Sequence, residues 1–277
     1  MSLTPAPREL ALVTGASSGI GAAFARALAA RGCDLALSAR RTERLEALAA
    51  ELGAKYGIEA FALPCDLSEL GAAERLLAAV AARGRAVDVL VNNAGFSIPQ
   101  SFHDTSWKAQ QDFLMTLVVN ACGLAHGALP GMRARGRGRI INVGSLAGYA
   151  PGVAGHTLYP GAKSLIIKFS QALDAENRAA GVRVTVTNPG FTQTEFAAAN
   201  GTAAVMDQAP RRLFQTAEQV VAQTLAANDA GRVVVVPGWH NRVAAALLQH
   251  LPQFIVRALL MQGSAKYHLP AEDVPKS

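Results

Sequence analysis

Thr14-Gly15-Ala16-Ser17-Ser18-Gly19-Ile20-Gly21 joins an apolar run to a helical pattern, and this stretch decides the fold. Residues 11–15 predict a short buried strand that ends in a glycine turn, and residues 20–32 predict a helix with a glycine stop. One glycine permits the tight turn, another lets backbone approach a pyrophosphate, and the third allows close helix packing. The helix N-terminus then faces the phosphate charge. The stretch predicts a dinucleotide site, although its spacing differs from G-x-G-x-x-G and a glycine-rich turn without a ligand stays open.

Strand-like and helix-like segments alternate from residue 9 to about residue 236. The predicted strands are apolar without strict alternation, as buried parallel strands are. They cover residues 11–15, 34–40, 59–67, 87–95, 138–145, 182–190 and 231–238. This order predicts an α/β fold: one doubly wound parallel sheet of about seven strands with helices on both faces. Ligands in such a sheet bind at the carboxyl ends of the strands, where the glycine turn also falls.

We expect a single domain over residues 1–277, with a core at 8–238. Two regions lie outside the alternation: an apolar insertion at 191–215 and an extension at 239–277. The insertion could cover a hydrophobic substrate or pack as an ordinary short helix. Around Val243 to Leu259 the extension is apolar and is expected to break at Pro252. Packing on the domain or on a partner chain is the preferred interpretation, and capping the pocket or touching a membrane surface are alternatives.

Composition excludes several classes of protein. Hydrophobic residues make up 51% and charged residues 17% of the 277, which argues against disorder. The net charge is +6, but no basic patch is interleaved with aromatic residues, so no nucleic-acid partner is expected. Three separated cysteines and six histidines show no metal-ligand spacing, so no metal is assigned. We expect a cytoplasmic protein with no transmembrane segment, because no signal-length apolar run and no long uncharged apolar stretch was identified.

Arg40 and Arg41 follow the second predicted strand, about 20 residues beyond the glycines. An acidic residue there would accept from the ribose 2′-hydroxyl of NAD, whereas an arginine suits a 2′-phosphate. The guanidinium can grip phosphate bidentately. We therefore predict NADP(H) in preference to NAD(H), the alternative being that both arginines are ordinary solvated charges.

Tyr159 and Lys163 are four residues apart and share one face of a predicted helix. Carbonyl reduction needs a proton donor for the developing alkoxide, and lowering a tyrosine pKa from near 10 to about 7 takes on the order of 4 kcal/mol. A cation one helical turn away supplies part of this free energy. Ser145, at a strand end, can donate a hydrogen bond to the substrate oxygen. Tyr149 competes for the role, but no lysine follows it at the same spacing.

These motifs together resemble the short-chain dehydrogenase/reductase superfamily over about residues 8–238. The resemblance rests on the glycine stretch, Cys65-Asp66-Leu67, Asn92-Asn93-Ala94-Gly95, Ser145, Tyr159-x-x-x-Lys163 and Pro189-Gly190. It implies a Rossmann-like fold and an NADP-preferring carbonyl reductase. The chain departs from the family where Pro160, Gly161 and Ala162 stand between the tyrosine and the lysine. Proline in the first helical turn is tolerated, so we expect altered local shape with intact chemistry.

The resemblance also implies which residues form the site. The catalytic set is Ser145, Tyr159, Lys163 and Asn120, where Asn120 would hold a water that connects Lys163 to solvent. The cofactor set is Gly15, Ser17, Ser18, Gly19, Ile20, Gly21, Arg40, Arg41, Asp66, Leu67, Asn93, Ala94, Gly95, Tyr159, Lys163, Pro189, Gly190 and Thr192. Asp66 would contact adenine, and the residues from Pro189 to Thr192 would flank the nicotinamide. His156 could touch substrate or be an exposed loop residue.

The sequence thus predicts an oxidoreductase that interconverts a ketone or aldehyde and an alcohol with NADP(H), on a hydrophobic small molecule. The main alternative is a non-catalytic NADP(H)-binding regulator on the same fold, and the intact set of four residues speaks against it. A third interpretation is an epimerase or dehydratase that keeps its cofactor bound. By the same resemblance, helices at about 107–135 and 159–180 would form a homodimer or homotetramer.

Overall fold

The computed structural model describes residues 8–152, 154–155, 157–195 and 210–264. Within them, seven strands form one parallel sheet in the order β3-β2-β1-β4-β5-β6-β9, and β7 pairs with β8 in a separate parallel pair. The strands are β1 Leu10–Thr14, β2 Asp34–Ala39, β3 Ala60–Pro64, β4 Val89–Asn92, β5 Gly138–Val143, β6 Val182–Thr187, β7 Thr192–Gln193, β8 Gln215–Thr216 and β9 Val234–Val235. The predicted doubly wound sheet of seven parallel strands is confirmed.

Helices cover both faces of the sheet. They are α1 Gly19–Ala30, α2 Thr42–Tyr56, α3 Ala72–Ala81, α4 Trp107–Leu114, α5 Asn120–Ala134, α6 Tyr159–Asn177, α7 Ala217–Asp229, α8 Trp239–His250 and α9 Gln253–Ser264. Helices α1, α2 and α7 pack on one face, and α3, α5 and α6 contribute to the core on the other.

Strand β1 shows why the strand sequences are apolar at every position. Ala11 and Val13 point into one core cluster, while Leu10 and Leu12 point into the other. Side chains alternate along a strand, so a sheet covered on both faces buries every one of them. All four of these residues are fully buried.

Helices α4 and α5 are continuous through a π-helical turn at Met115–Val119. The sequence analysis expected no long uncharged apolar stretch in the chain. Residues 113–132 carry no charged side chain, so that expectation was wrong. By length and composition the helix Trp107–Ala134, with a window of mean hydropathy 1.5, could cross a membrane. Its packing is that of a core helix, because Leu124, Ala125 and Met132 lie buried against the sheet.

The insertion at 191–215 is described only at its ends, and Phe196, Val205 and Met206 lie outside the described residues. Pairing of β7 with β8 holds those ends together, and the rings of Phe191 and Phe214 stack with centroids 5.5 Å apart. In the extension, α8 ends at His250 and α9 begins at Gln253, which confirms the predicted break at Pro252.

Candidate active site

The glycine turn at the end of β1 is held by the segment that follows β4. The Thr14 hydroxyl accepts from the backbone amides of Asn93 and Ala94, at 2.9 and 3.1 Å. In return, the Asn93 amide nitrogen donates to the carbonyl oxygen of Thr14 at 2.9 Å. A Cβ on Gly15 would lie 2.7 Å from that amide nitrogen, and one on Gly21 would lie 2.6 Å from it. Neither glycine can therefore carry a side chain.

The N-terminus of α1 fits a phosphate group. Gly19 begins the helix with φ +55°, and the side chain of the N-cap residue Ser18 makes no capping hydrogen bond. The first amides of an uncapped helix are unsatisfied donors with a partial positive charge, which is how helix N-termini hold anions. The predicted residues Ser17, Ser18 and Ile20 lie in the same turn.

Arg41 lies across this turn. Its guanidinium donates to the hydroxyl oxygens of Ser17 and Ser18 at 3.0 and 2.8 Å. It also bonds Glu195, which follows β7, at 3.2 Å. Arg44, which the sequence reasoning missed, donates to the same carboxylate at 2.7 Å, one helical turn after Arg41. The hydrogen bonds from Arg44, and next those from Arg41, hold the pKa of Glu195 below its usual value.

Arg40 is exposed and forms no hydrogen bond with a described residue. Its charge acts on Asp66, near the end of β3. Burial by itself would raise the pKa of Asp66, but the hydrogen bonds from Ser68 and the charges of Arg40 and Lys108 outweigh it and lower that pKa. Leu67, next to Asp66, is buried. The structure therefore places the Asp66 carboxylate near Arg40, and its contact with adenine stays a prediction.

Ser145, Tyr159 and Lys163 meet at the carboxyl ends of β5 and β6. Ser145 begins a 3-10 helix at Leu146–Tyr149, and Tyr159 begins α6. Ser145 and Tyr159 share a side-chain hydrogen bond. Lys163 lies one turn along α6, with its ammonium 5.7 Å from the centroid of the Tyr159 ring. The structure thus brings together three of the four predicted catalytic residues.

The electrostatics of this cluster are dominated by burial. Burial raises the pKa of the Tyr159 hydroxyl, and the hydrogen bond with Ser145 works in the opposite direction. Burial lowers the pKa of Lys163 to about 8. The Lys163 ammonium donates to the carbonyl oxygen of Val143 at 2.8 Å. A buried ammonium has three donor hydrogens, so this lysine can serve further acceptors in the site.

A cavity of about 10 Å³ adjoins Lys163, with room for one water molecule. Thr14, Thr116, Asn92 and Asn142 are among the residues that line it. The Asn92 side-chain oxygen is buried and has no hydrogen-bond partner among the described residues. The cavity therefore joins the lysine to polar groups of β1, β4 and β5.

Asn120, the fourth predicted catalytic residue, turns its amide toward another element. The amide nitrogen donates to the carbonyl oxygens of Leu67 and Glu69 at 2.8 and 3.0 Å. The amide oxygen accepts from the backbone of Ala73 at 3.0 Å. Both donor hydrogens of the amide are thus used in holding the start of α3. The predicted link from Asn120 to Lys163 stays a prediction, and it would have to run through the backbone of Asn120.

The segment after β6 carries Pro189, Gly190 and Thr192, predicted to flank the nicotinamide. Asn241 of α8, which the sequence reasoning missed, packs directly on Gly190. A Cβ on Gly190 would clash with the Asn241 side-chain oxygen and lie 2.8 Å from its carbonyl carbon. Asn241 is buried and donates to the Gln215 side chain at 2.9 Å and to the Pro237 carbonyl at 2.8 Å. A lone asparagine in an apolar tail gives no sequence signal of this contact.

Aromatic and aliphatic side chains surround Tyr159. The Phe113 ring lies 6.3 Å from the tyrosine ring, and the Phe96 ring packs edge-on against Phe113 at 5.7 Å. Tyr149, the competing tyrosine, accepts a hydrogen bond from Asn188 instead. His156 lies outside the described residues, and no group of three potential metal ligands occurs in the described part of the chain.

Comparison with known proteins agrees with this geometry. The family model described as short chain dehydrogenase matches residues 9–204. A serine 3-dehydrogenase of Agrobacterium fabrum is 37% identical over 186 residues, covering 67% of this chain and 72% of that protein. A short-chain dehydrogenase from Sphingobium yanoikuyae in complex with NADPH is similar with a TM-score of 0.75 at 30% identity, covering 88% of this chain and 96% of that one. The structure of a 7β-hydroxysteroid dehydrogenase is similar with a TM-score of 0.82 at 26% identity, covering 92% of this chain and 96% of that one.

Proposed function

Because this chain belongs to the short chain dehydrogenase family, we propose that it is an NADP(H)-dependent oxidoreductase that interconverts a ketone or aldehyde and an alcohol. The observation that carries the proposal is the cluster of Ser145, Tyr159 and Lys163 at the carboxyl edge of the sheet, with Ser145 bonded to Tyr159. A non-catalytic regulator would have no need of this arrangement.

The chemistry follows from what these side chains can donate. NADPH supplies a hydride to the carbonyl carbon when bound. Tyr159 donates its hydroxyl proton to the carbonyl oxygen, so the product is the alcohol and the tyrosine is left as an anion. Ser145 donates a hydrogen bond that orients the substrate oxygen toward Tyr159. The ammonium of Lys163 stabilises the tyrosine anion, because opposite charges attract strongly at a buried site.

The preference for NADP(H) rests on the arginines beside the glycine turn. The 2′-phosphate of NADP would meet Arg41 and the hydroxyls of Ser17 and Ser18, with Arg44 one turn further along α2. Arg40 lies beside Asp66 on the adenine side. The remaining predicted residues, Asn93 to Gly95 and Pro189 to Thr192, would line the ribose and the nicotinamide. The NADPH bound to the similar Sphingobium protein supports this choice.

The substrate is a hydrophobic carbonyl compound or alcohol. Phe96, Phe113, Phe191 and Phe214 give the neighbourhood of Tyr159 and the ends of the insertion an apolar character. One similar solved structure is of a 7β-hydroxysteroid dehydrogenase, whose name specifies a steroid substrate. We also propose assembly as a homodimer or homotetramer through α4, α5 and α6. Free cysteines among the described residues fit a cytoplasmic location.

The test is oxidation of NADPH over a panel of aliphatic, aromatic, quinone, 3-oxoacyl and steroid carbonyls. Tyr159→Phe should lower turnover by about 100- to 10,000-fold, because it removes the general acid. It should leave NADPH binding within a few fold of the wild type. Tyr56→Phe, at the end of α2 and far from the cluster, is the matched control.

Full turnover in Tyr159→Phe would refute the proposed mechanism. Tight NADPH binding without turnover on any carbonyl would favour the regulator instead. NADH used as well as NADPH would refute the cofactor preference alone.

A further inference from the structure

Helix α8 exposes a stripe of large apolar side chains and buries the polar side chain of Asn241. Trp239, Val243 and Leu247 recur at intervals of four residues, so they form one stripe along the helix. They are 72%, 52% and 51% exposed. The opposite face contains Asn241, which is 5% exposed and hydrogen-bonded at the active site. This is the reverse of the usual surface helix, in which the apolar stripe faces the core.

Helix α9, beyond Pro252, also exposes large apolar side chains. Phe254 is 74% exposed and Ile255 is 37% exposed, while Val256 is buried. We call Trp239, Val243, Leu247, Phe254 and Ile255 the C-terminal apolar surface. They make up half of the large hydrophobic side chains that are exposed in the described part of the chain. A contiguous stripe of exposed apolar side chains, such as the one on α8, marks a binding surface, whereas single ones scattered over a protein do not.

The charge around this surface has one sign. Arg242 adjoins Val243 on the exposed face of α8, and Arg257 lies one turn after Phe254 on α9. Both are exposed, and neither forms an ion pair with a described residue. The sequence contains no aspartate or glutamate between Asp229 and Glu272. A partner that matches this surface therefore has an apolar region for the exposed side chains and an adjoining anionic region for the two arginines.

A second copy of this chain does not have that chemistry. A symmetric dimer would bring two copies of this positively charged surface together, and residues 230–271 contain no carboxylate to neutralise Arg242 and Arg257. Burying like charges without a partner is unfavourable. An anionic bilayer offers both layers at once, since phosphate headgroups lie above the acyl chains. Tryptophan is enriched at that boundary, where its ring is buried and its N–H stays in a polar layer.

We propose that the C-terminal apolar surface docks on the anionic surface of a phospholipid membrane. Trp239, Leu247 and Phe254 enter the headgroup and acyl boundary, while Arg242 and Arg257 bind the phosphates. The association is peripheral and reversible, because the helices lie in the plane of the interface. Docking there would also bring α8, which touches the active site through Asn241, close to the lipid phase.

The experiment measures partition of the full-length protein onto vesicles. One set is phosphatidylcholine alone, and the other is phosphatidylcholine with phosphatidylglycerol. The wild type should co-sediment with the anionic vesicles, and added salt should release it because the phosphate attraction is screened. In a Trp107→Phe background Trp239 is the sole tryptophan. Its emission should shift to the blue only when anionic vesicles are added.

Two variants separate the charged and apolar contributions. Arg242→Gln with Arg257→Gln should weaken partition about 30-fold, because each basic side chain at a lipid surface contributes about fivefold. Trp239→Ser with Leu247→Ser and Phe254→Ser should abolish it. Leu70→Ser is the matched control, because Leu70 is 83% exposed but lies outside the surface. Unchanged thermal unfolding would verify that each variant is folded.

Equal partition onto neutral and anionic vesicles, or none onto either, would overturn the proposal. So would full partition by the triple serine variant. A wild type that is a dimer without lipid, and a triple serine variant that is a monomer, would assign the surface to a second copy. Loss of carbonyl turnover in Tyr159→Phe does not bear on these outcomes, so this proposal and the proposed function fail separately.

Discussion

Two asparagine–glycine contacts hold the two ends of this active site, and they differ in how they are built. At the cofactor end, Asn93 bonds to Thr14 and approaches Gly15 and Gly21 too closely for either to bear a side chain. At the substrate end, Asn241 does the same to Gly190. The first contact joins neighbouring central strands. The second reaches from a C-terminal helix whose apolar stripe lies in solvent.

The difference teaches where the molecule is rigid and where it can adapt. The cofactor end lies among fully buried strands, so a change there should disturb folding and binding together. The substrate end depends on one helix, so a change there should affect substrate use more than cofactor binding. Four substitutions test this contrast.

Gly21→Ala should have the largest effect. Its Cβ would clash with the Gly15 carbonyl oxygen and lie 2.6 Å from the Asn93 amide. The Gly15 backbone cannot move aside to relieve the clash as a flexible side chain could. We therefore expect destabilisation by about 3 kcal/mol or more and loss of NADPH binding. Chemical denaturation and cofactor titration measure both. Gly53→Ala, whose Cβ would make only an ordinary contact inside α2, should instead be neutral or slightly stabilising. A stable Gly21→Ala that binds NADPH would show that the cofactor end is not rigid.

Lys163→Met should stabilise the protein while abolishing turnover. Burial lowers the lysine pKa to about 8, so the charged form costs the fold on the order of 3 kcal/mol below that pH. Subtracting about 1 kcal/mol for the hydrogen bond to Val143 leaves a net gain of about 2 kcal/mol.

The pH dependence of unfolding tests whether the buried charge of Lys163 destabilises the fold. Between about pH 8 and the usual lysine pKa, the unfolded chain binds more protons than the folded one, so wild-type stability rises with pH. The advantage of Lys163→Met should therefore be complete below about pH 8 and shrink above it. Thermal unfolding at several pH values measures this, with exposed Lys168→Met as the control. An advantage independent of pH would contradict the buried charge.

Asn241→Ala should separate the two ends. It leaves Gln215 and the Pro237 carbonyl without their partner, which costs about 1 to 2 kcal/mol. We expect a higher KM for the carbonyl substrate and a smaller loss of NADPH affinity, because α8 no longer anchors Gly190, which is also proposed to flank the nicotinamide. Exposed Gln249→Ala on the same helix is the control. If NADPH affinity fell as much as substrate affinity, the two ends would be one unit.

Glu195→Gln should have the smallest effect, and it should tighten NADPH binding instead of weakening it. Glu195 neutralises Arg41 and Arg44, the groups proposed to meet the 2′-phosphate. Its removal should tighten NADPH binding by up to about fivefold at low salt, the range of an exposed ion pair, and should leave NADH binding unchanged. Glu51→Gln, which breaks a similar exposed pair with Arg26, should change neither. Weaker NADPH binding in Glu195→Gln would show that the carboxylate orders the arginines instead of competing for them.

Local patterns accounted for the sheet and most of the predicted site. The seven strands were readable because every residue of a strand such as β1 is buried, which leaves a continuous apolar run. Tyr159 and Lys163 were readable because helical spacing puts them on one face. Arg40 and Arg41 were recognised together, but their division of roles depended on side-chain direction, since only Arg41 turns toward Ser17 and Ser18.

By itself the sequence determined the parallel sheet, the glycine turn and the set of reactive side chains, because strand periodicity, helical spacing and glycine conformation are local properties of a chain. Only the tertiary structure decided that the Asn120 amide holds α3, that Glu195 and Arg44 meet across the glycine turn, and that Asn241 anchors α8 on Gly190. These contacts join residues from 47 to 151 positions apart, the extremes being Asn120 with Ala73 and Glu195 with Arg44. Such distances carry no local pattern, and packing of the whole fold selects which side chains meet.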